Sequence, residues 1–248
     1  MGRESGFMEL ALRTWTEIKE NPLAVALLPV GSVEQHGPHA PLGTDLLIAE
    51  EVASRGAAQS DRETVVCPAV PIGVAEEHRN FAGSLWVSPD SFRAYVREIV
   101  NSLVHHGIQS VVLVNGHGGN IDALEEVAAS IDRHSDSRCV AFTWFDSLTD
   151  PPFPMGHGGA LETAAMLAID EDAIRGDRVE NAREGASERW GTWVGGTNLS
   201  VDVDSFSENG VVGDPSVATA EIGEKLLDEA AMHLGEVIEA IDDGAQSS

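Results

Sequence analysis

Short apolar runs alternate with longer amphipathic stretches along most of this chain. The runs at 24–29, 64–70, 109–114 and 140–145 are closely followed by glycine, proline or polar residues, which is typical of buried strands. Between them apolar positions recur at helical spacing, which predicts helices at 45–59, 89–106, 121–134 and 161–169. Strands separated by helices favour parallel pairing with right-handed crossovers. The pattern therefore predicts an α/β fold with a mostly parallel sheet.

The last third of the chain is organised differently. Residues 184–215 are rich in Gly, Ser, Thr and Asn, which predicts long loops with room for a short strand pair, and an amphipathic helix is predicted over 215–241. No change of composition marks a boundary, so residues 1–248 are expected to form a single domain. The ends, 1–7 and 243–248, are expected to be loose.

The charge balance is strongly acidic. The chain has 41 Asp and Glu residues against 15 Lys and Arg, a formal net charge of −26, and the acids are dispersed rather than gathered in a tail. This composition favours a protein kept soluble in concentrated salt; an ordinary acidic mesophilic enzyme is the alternative. A nucleic-acid partner is disfavoured, because no basic stripe is available to neutralise phosphates.

Nothing in the sequence indicates export or membrane insertion. No apolar run approaches the roughly 20 residues that span a bilayer, and the first residues lack the pattern of a signal peptide. Cys67 and Cys139 match no metal or redox spacing, so both are expected to be reduced thiols. The expected compartment is the cytoplasm, with no membrane partner.

The first candidate site follows the first predicted strand. Glu34 and His36 lie two residues apart, so in extended backbone both side chains leave the same face. Asp45 stands at the start of the next predicted helix, and prolines and glycines between them could turn the chain back. Two carboxylates and an imidazole suit Zn, Mn or Fe(II). The alternative is that Asp45 caps the helix and that Glu34 and His36 are solvated.

Two further histidines stand in glycine-rich turns. His117, in the segment Asn-Gly-His-Gly-Gly-Asn after the third predicted strand, could complete a metal site, although such turns also cradle phosphates. His157 is a candidate proton shuttle because an imidazole titrates near working pH. Glu162 falls in the first turn of the next predicted helix, where it could instead complement the helix dipole.

The remaining histidines are weaker candidates. His78, in a loop after the second predicted strand, is expected to line the pocket, and His39 could assist in the first loop. The other four are expected to be structural or exposed residues of helices, namely His105, His106, His134 and His233.

Five segments together resemble the creatininase family of amidohydrolases, and the resemblance covers nearly the whole chain. They lie at 31–45, 77–85, 115–120, 157–163 and 210–220. The resemblance implies a three-layer α/β/α fold and two divalent ions per subunit, Fe(II), Zn or Mn. It also implies that Glu34 and His36 each bind one ion, that Asp45 bridges both, and that His117 is a further ligand. His157 would protonate the departing nitrogen of a small-molecule substrate, and the subunits would form a homo-oligomer, often a hexamer.

This chain departs from creatininase two residues after His117. Creatininase has a glutamate ligand there, after an aromatic residue, whereas this chain has Gly118 and Gly119, which are expected to face the substrate. The missing carboxylate is then expected from Glu162. The departure argues against creatinine as substrate.

Several functions remain open at this point. With the halophilic composition, the resemblance favours a deformylase that releases formate from a ribosylaminopyrimidine formamide phosphate, as in riboflavin and coenzyme F420 biosynthesis. A creatinine amidohydrolase or a mycofactocin-type peptidase is the alternative within the family. From another class, a metal-dependent sugar-phosphate isomerase or aldolase could use the same ligands. A binding protein without catalysis is the remaining possibility.

Overall fold

A five-stranded, entirely parallel sheet lies at the centre of the fold. The computed structural model describes residues 7–20 and 23–241. The strands are β1 (Phe7–Glu9), β2 (Val25–Val30), β3 (Thr64–Val66), β4 (Ser110–Asn115), β5 (Arg138–Thr143), β6 (Trp193–Val194) and β7 (Thr197–Asn198). The strand order in the sheet is β1-β3-β2-β4-β5, and a separate antiparallel hairpin pairs β6 with β7.

Helices cover both faces of this sheet. They are α1 (Trp15–Glu20), α2 (Thr44–Ala57), α3 (Pro89–His105), α4 (Ile121–His134), α5 (Ala160–Ile169), α6 (Val179–Glu184) and α7 (Ala220–Ala240). Short 3-10 turns lie at Leu10–Leu12, Glu76–His78, Gly118–Asn120, Glu171–Ala173, Gly176–Arg178, Val203–Ser205 and Pro215–Val217. Among these described helices, none combines the length and the hydropathy needed to span a bilayer.

The two faces of the sheet belong to two separate hydrophobic cores. Along β2, Leu27 packs with α2, α5 and α7, whereas Leu28 packs with α3 and α4. Both leucines are buried, and burying a leucine side chain contributes about 1.5–3 kcal/mol. Because successive side chains of a strand point to opposite faces, a continuous apolar run requires cover on both sides. The predicted three-layer α/β/α architecture is confirmed.

Most predicted elements are present, with shifted ends. The second predicted strand, 64–70, ends at Val66, because Pro68 has no N–H to donate to the neighbouring strand. The last helix begins at Ala220 rather than near Pro215, where a 3-10 turn precedes the side-chain cap from Thr219. Ser88 caps α3 as expected, accepting a bond from the backbone of Ser91.

Some features were not predicted. The short strand β1 at the sheet edge and the short helices α1 and α6 carry too few residues to show a period. Phe7, the last residue of the start that was expected to be loose, is the first residue of β1. Residues 1–6 and 243–248, which were also expected to be loose, lie outside the described residues.

Candidate active site and metal centre

The candidate ligands meet where β2 and β4 end side by side. Val30 and Asn115 are paired neighbours, so the loops that follow them leave the same edge of the sheet. The first loop carries Glu34 and His36, the second carries His117, and Asp45 follows in the first turn of α2. All four side chains are buried. The structure therefore brings together the four residues predicted from separate segments.

The imidazoles and carboxylates of this cluster lie within hydrogen-bonding distance of one another. Nε2 of His36 lies 3.0 Å from Oδ1 of Asp45, and Nδ1 of His117 lies 3.2 Å from Oδ2 of the same carboxylate. Nδ1 of His117 is also 3.2 Å from Oε1 of Glu34. Each oxygen of Asp45 thus faces a different histidine, the arrangement that a bridging carboxylate requires. Asp45 does not cap α2, because Gly43 occupies the cap position and Asp45 lies inside the first turn of the helix.

Glycine at position 116 allows the two loops to approach this closely. A Cβ atom on Gly116 would lie 2.1 Å from the carbonyl oxygen of Asp45, far inside van der Waals contact. Asn120 then ties the loops together, because its Nδ2 donates to the carbonyl of Gly31 at 3.0 Å and its Oδ1 accepts from the backbone of Val74 at 2.9 Å. Backbone contacts therefore position Asp45 beside His117.

Several polar atoms of the cluster are buried without a hydrogen-bond partner. These atoms include both carboxylate oxygens of Glu34 and Oδ2 of Asp45. Ionised carboxylates in such a position cost several kcal/mol unless a cation or donor compensates them. Three overlapping groups offer ligand atoms within 4.8 Å of one another, namely Glu34 with Asp45 and His117, His36 with His157 and Glu162, and Glu34 with His78 and His157. Carboxylate and imidazole donors of this kind fit divalent metal ions.

The pKa values in the cluster show its demand for positive charge. Burial would lower the pKa of His36, but the facing carboxylates of Asp45 and Glu162 raise it to about 10. Burial likewise opposes protonation of His117, yet Glu34 and Asp45 hold its pKa well above the usual range. Burial alone would raise the pKa of Asp45, but His36 and His117 outweigh this effect and hold the pKa well below its usual range. Protons on His36 and His117 therefore balance the negative charge of the carboxylates where no metal ion is bound.

Glu162 belongs to the same cluster. Its Oε2 lies 3.8 Å from Nε2 of His36 and accepts a bond from the backbone N–H of Gly158. Burial, together with the charges of Asp45 and Glu34, raises the pKa of Glu162 to about 7 against the opposing effect of His36. The carboxylate therefore stabilises the turn before α5 and also faces the site, while its role as a metal ligand stays a prediction.

His157 completes a stack of three imidazoles. Its ring centroid lies 4.3 Å from that of His36 and 4.4 Å from that of His78. Burial, with the charges of His36 and His78, holds the pKa of His157 well below its usual range. Its Nδ1 atom lies 3.7 Å from Oε1 of Glu34. A neutral imidazole beside the ligands can accept a proton and return it.

The remaining histidines separate into two groups. His39 is buried, and its Nε2 is paired with the hydroxyl of Thr163 at 2.8 Å, so it supports α5. His105, His106 and His134 are exposed at helix ends, as predicted. The prediction of an exposed His233 is wrong, because that side chain is half-buried on α7.

A cavity of about 390 Å³ opens directly onto this cluster. Its apolar wall is formed by Ile121, Phe145, Met155 and Trp190, and Glu77 supplies a carboxylate. His78 and His157 contribute polar edges, as predicted for His78. The lining residues are Glu77, His78, His117, Gly118, Gly119, Ile121, Phe145, Met155, Gly156, His157, Glu162 and Trp190, without a lysine or arginine.

The two glycines after His117 have different surroundings. A Cβ atom on Gly118 would meet nothing within 4 Å. A Cβ atom on Gly119 would lie 2.2 Å from the carbonyl oxygen of Val74, 2.5 Å from Nε2 of His117 and 3.2 Å from Oε1 of Glu77. Position 119 therefore has no room for a side chain, and the Glu77 carboxylate occupies the adjacent space.

Sequence reasoning missed three residues of the site. Gln35 stands between two predicted ligands, but an amide is not a typical ligand for these metals and was passed over. Glu77 precedes the predicted His78, yet a carboxylate in a loop usually faces solvent. Trp190 lies in the loop-rich segment whose path only the tertiary structure shows. Its ring centroid is 6.0 Å from those of His78 and His157.

Comparisons with known proteins match most of the chain. The family model described as "Creatininase: Creatinine amidohydrolase" matches residues 11–238. The chain is 34% identical over 211 residues to the mycofactocin precursor peptide peptidase of Mycolicibacterium smegmatis, covering 83% of this chain and 80% of the relative. A solved structure titled "Creatininase Mn" superposes with a TM-score of 0.78 at 24% identity, covering 95% of this chain and 98% of the other.

The predicted deformylase is a more distant relative. The deformylase acting on 2-amino-5-formylamino-6-ribosylaminopyrimidin-4(3H)-one 5'-monophosphate in Methanobrevibacter smithii is 28% identical over 153 residues, covering 60% of this chain and 62% of the relative. The peptidase match is both longer and more similar. The comparisons therefore favour the alternative within the family over the deformylase.

Proposed function

The chain belongs to the creatininase family of amidohydrolases, and we propose that it hydrolyses an amide bond of a peptide at a two-metal site. The observation that carries the proposal is the cavity beside the ligand cluster, which offers an apolar wall and a carboxylate but no lysine or arginine. An apolar side chain of a peptide fits the wall formed by Phe145, Met155 and Trp190. The backbone N–H groups or the free amine of the same peptide can donate hydrogen bonds to the carboxylate of Glu77.

Two donor groups would hold the ions. Glu34, Asp45 and His117 would hold one ion, and His36 and Glu162, which lie in one group with His157, would hold the other. Divalent ions in such a pair polarise a carbonyl and lower the pKa of water. Structures related in fold are titled as manganese and Zn-Zn forms of creatininase, which supports Mn or Zn; Fe(II) suits the donors equally.

The protein's own groups would handle the protons. The neutral His157 ring accepts a proton at Nδ1 as water attacks the amide carbon, and it then delivers that proton to the departing nitrogen. The C–N bond breaks, and the acid and the amine are the two products. The apolar wall limits the access of bulk water to this transfer.

The cavity argues against a phosphorylated substrate. A phosphate monoester carries nearly two negative charges at neutral pH, and such groups are ordinarily met by Arg, Lys or a helix N-terminus. Of these groups the cavity offers only the first residues of α4, without an Arg or Lys, and a phosphate there would also meet the carboxylate of Glu77, whose pKa is raised by burial and by the charges of Glu34 and Asp202. The same argument counts against a sugar-phosphate isomerase or aldolase.

A substrate panel tests the proposal. Protein loaded with Zn, Mn or Fe(II) is given short peptides with apolar residues, creatinine, and the pyrimidine formamide phosphate. We expect new amine from the peptides only, and no turnover by Asp45→Asn. Formate release from the pyrimidine as the dominant reaction would overturn the peptide assignment in favour of the deformylase.

Glu77 provides a sharper test of the substrate class. In Glu77→Gln we expect the KM for peptides with a free amine to rise roughly 10-fold, while peptides with a blocked amine change little. Glu76→Gln is the matched control, because Glu76 is exposed beside Arg79 on the same turn. An equal effect on free and blocked peptides would contradict amine recognition by Glu77.

Three further properties belong to the proposal. We expect a homo-oligomer, a hexamer by analogy with the family, and two divalent ions per subunit. We also expect an environment rich in salt inside the cell, without nucleic-acid or membrane partners. Light scattering of the metal-loaded protein in high salt measures the oligomeric state, and metal analysis by mass spectrometry measures the number of ions per subunit. A monomer, or fewer than two ions per chain, would contradict them.

A further inference from the structure

The side-chain amide of Gln35 has a defined orientation. The backbone N–H of Gly37 donates to its Oε1 at 2.9 Å, which identifies the oxygen end because a backbone N–H can only donate. The Nε2 end lies 3.0 Å from the carbonyl oxygen of Gly210 and 2.9 Å from Nδ1 of His78. Both hydrogens of the amide nitrogen therefore have an acceptor.

This orientation decides where His78 carries its proton. Nδ1 accepts from Gln35 and so has no hydrogen, because two donors cannot share one bond. The neutral ring must then carry its hydrogen on Nε2, which lies 3.3 Å from Oε1 of Glu34. In this tautomer His78 presents an N–H to the site and has no lone pair there to bind a metal ion.

The backbone of Gln35 has the opposite effect on His157. Its carbonyl oxygen accepts a hydrogen bond from Nε2 of His157, so that ring carries its hydrogen on Nε2 and keeps a lone pair on Nδ1. Nδ1 is the atom that faces Glu34. The bridge between His157 and Val212, with bonds of 3.0 and 2.7 Å, fixes the backbone that carries the ring.

We propose that Gln35 is a positioning residue that gives His78 and His157 opposite functions, one as an N–H donor and the other as a proton acceptor. The role in turnover rests on the proposed amide hydrolysis. There, Nε2–H of His78 donates to the substrate carbonyl oxygen as negative charge develops on it, while Nδ1 of His157 takes the proton from water.

Two glycines are required by this arrangement. Gly210 has a φ of +84°, and a Cβ atom there would lie 2.0 Å from Oε1 of Gln35. Gly37 has a φ of +69°, which directs its N–H to the same amide. Both glycines belong to the segments that carry the family resemblance. Their function here is to leave room for the Gln35 amide and to hold its orientation.

Nitrogen NMR of the protein labelled with ¹⁵N-histidine tests the proposal without turnover. In both metal-free and zinc-loaded protein we expect His78 to show a protonated Nε2 and an unprotonated Nδ1, assigned with His78→Asn. In Gln35→Glu the carboxylate can only accept, so the hydrogen of His78 should move to Nδ1, while His157, held by a backbone carbonyl, keeps its tautomer.

The matched control is Gln109→Glu, which makes the same change at an exposed position. We expect kcat to fall roughly 10–100-fold in Gln35→Glu and to stay unchanged in the control. A protonated Nδ1 of His78 in the wild type would overturn the proposal, and this spectrum decides even if Gln35→Glu fails to fold. If the tautomers are as expected but no peptide is cleaved, the proposed function fails and the positioning role stands.

Discussion

His117 and Asp45 face each other at 3.2 Å, from Nδ1 to Oδ2, although His117 lies in the loop after β4 and Asp45 in the first turn of α2. The other ring nitrogen of His117 lies 2.8 Å from the carbonyl oxygen of Val74 and donates to it. That bond leaves Nδ1 as the nitrogen that faces the two carboxylates, so Nδ1 can bind a metal ion once its proton is lost. A metal-binding histidine is commonly oriented in this way.

Gly119→Ala should disturb this orientation. The added methyl would lie 2.5 Å from Nε2 of His117 and 2.2 Å from the carbonyl of Val74, so the bond between them must break. We expect metal affinity to fall roughly 10–100-fold, measured by competition with a chelator. Gly118→Ala is the control, because its methyl meets nothing within 4 Å. Equal affinities of the two variants would contradict the role of Val74.

His157→Gln should lower kcat about 10²–10⁴-fold and leave the metal content unchanged, because an amide cannot accept and return the proton. Steady-state kinetics and metal analysis measure the two effects. His134→Gln changes an exposed residue at the end of α4 and should behave as the wild type. Loss of one metal ion in step with activity would instead make His157 a ligand.

Metal binding should release protons at neutral pH. The pKa of His36 in the metal-free cluster is about 10, so its ring is protonated at pH 7 and must lose that proton to bind an ion. The affinity of the cluster for metal ions therefore rises as the pH rises toward 10 and falls as the pH drops. Calorimetry in buffers of different ionisation enthalpy measures the proton count. No proton release at pH 7 would contradict the raised pKa.

Salt should stabilise the protein. With a net charge of −26, repulsion among the acids is strongest at low ionic strength. The Debye length shortens from about 10 Å at 0.1 M salt to about 3 Å at 1 M, so we expect Tm to rise over that range. Calorimetry in KCl measures it.

The ion pairs of Arg55 should respond to salt in the opposite way, because salt weakens them. Arg55 on α2 binds Glu224 and Asp228 on α7 at 2.8 and 3.0 Å, and screening weakens such pairs. Arg55→Gln should therefore lower Tm more in low salt than in high salt. A wild-type Tm that falls steadily with added salt would show that repulsion does not dominate and would contradict the halophilic interpretation.

Much of this protein follows from the sequence alone. The continuous apolar runs at β2 and β4 require a sheet covered on both faces, because burial of both sides leaves no polar position. Glu34, His36 and His117 were identifiable because each follows such a run in a turn shaped by glycine or proline. Parallel strands place those turns at one edge.

Only the tertiary structure decided how these residues act. Whether the Asp45 carboxylate faces solvent or two histidines depends on the approach of Gly116 to its backbone, a contact between distant segments. The orientation of Gln35 depends on the carbonyl of Gly210, and the cavity wall depends on the path of the loop that carries Trp190. Local sequence specifies turns and periods, whereas hydrogen-bond direction and charge at a buried site arise from atoms that folding brings together.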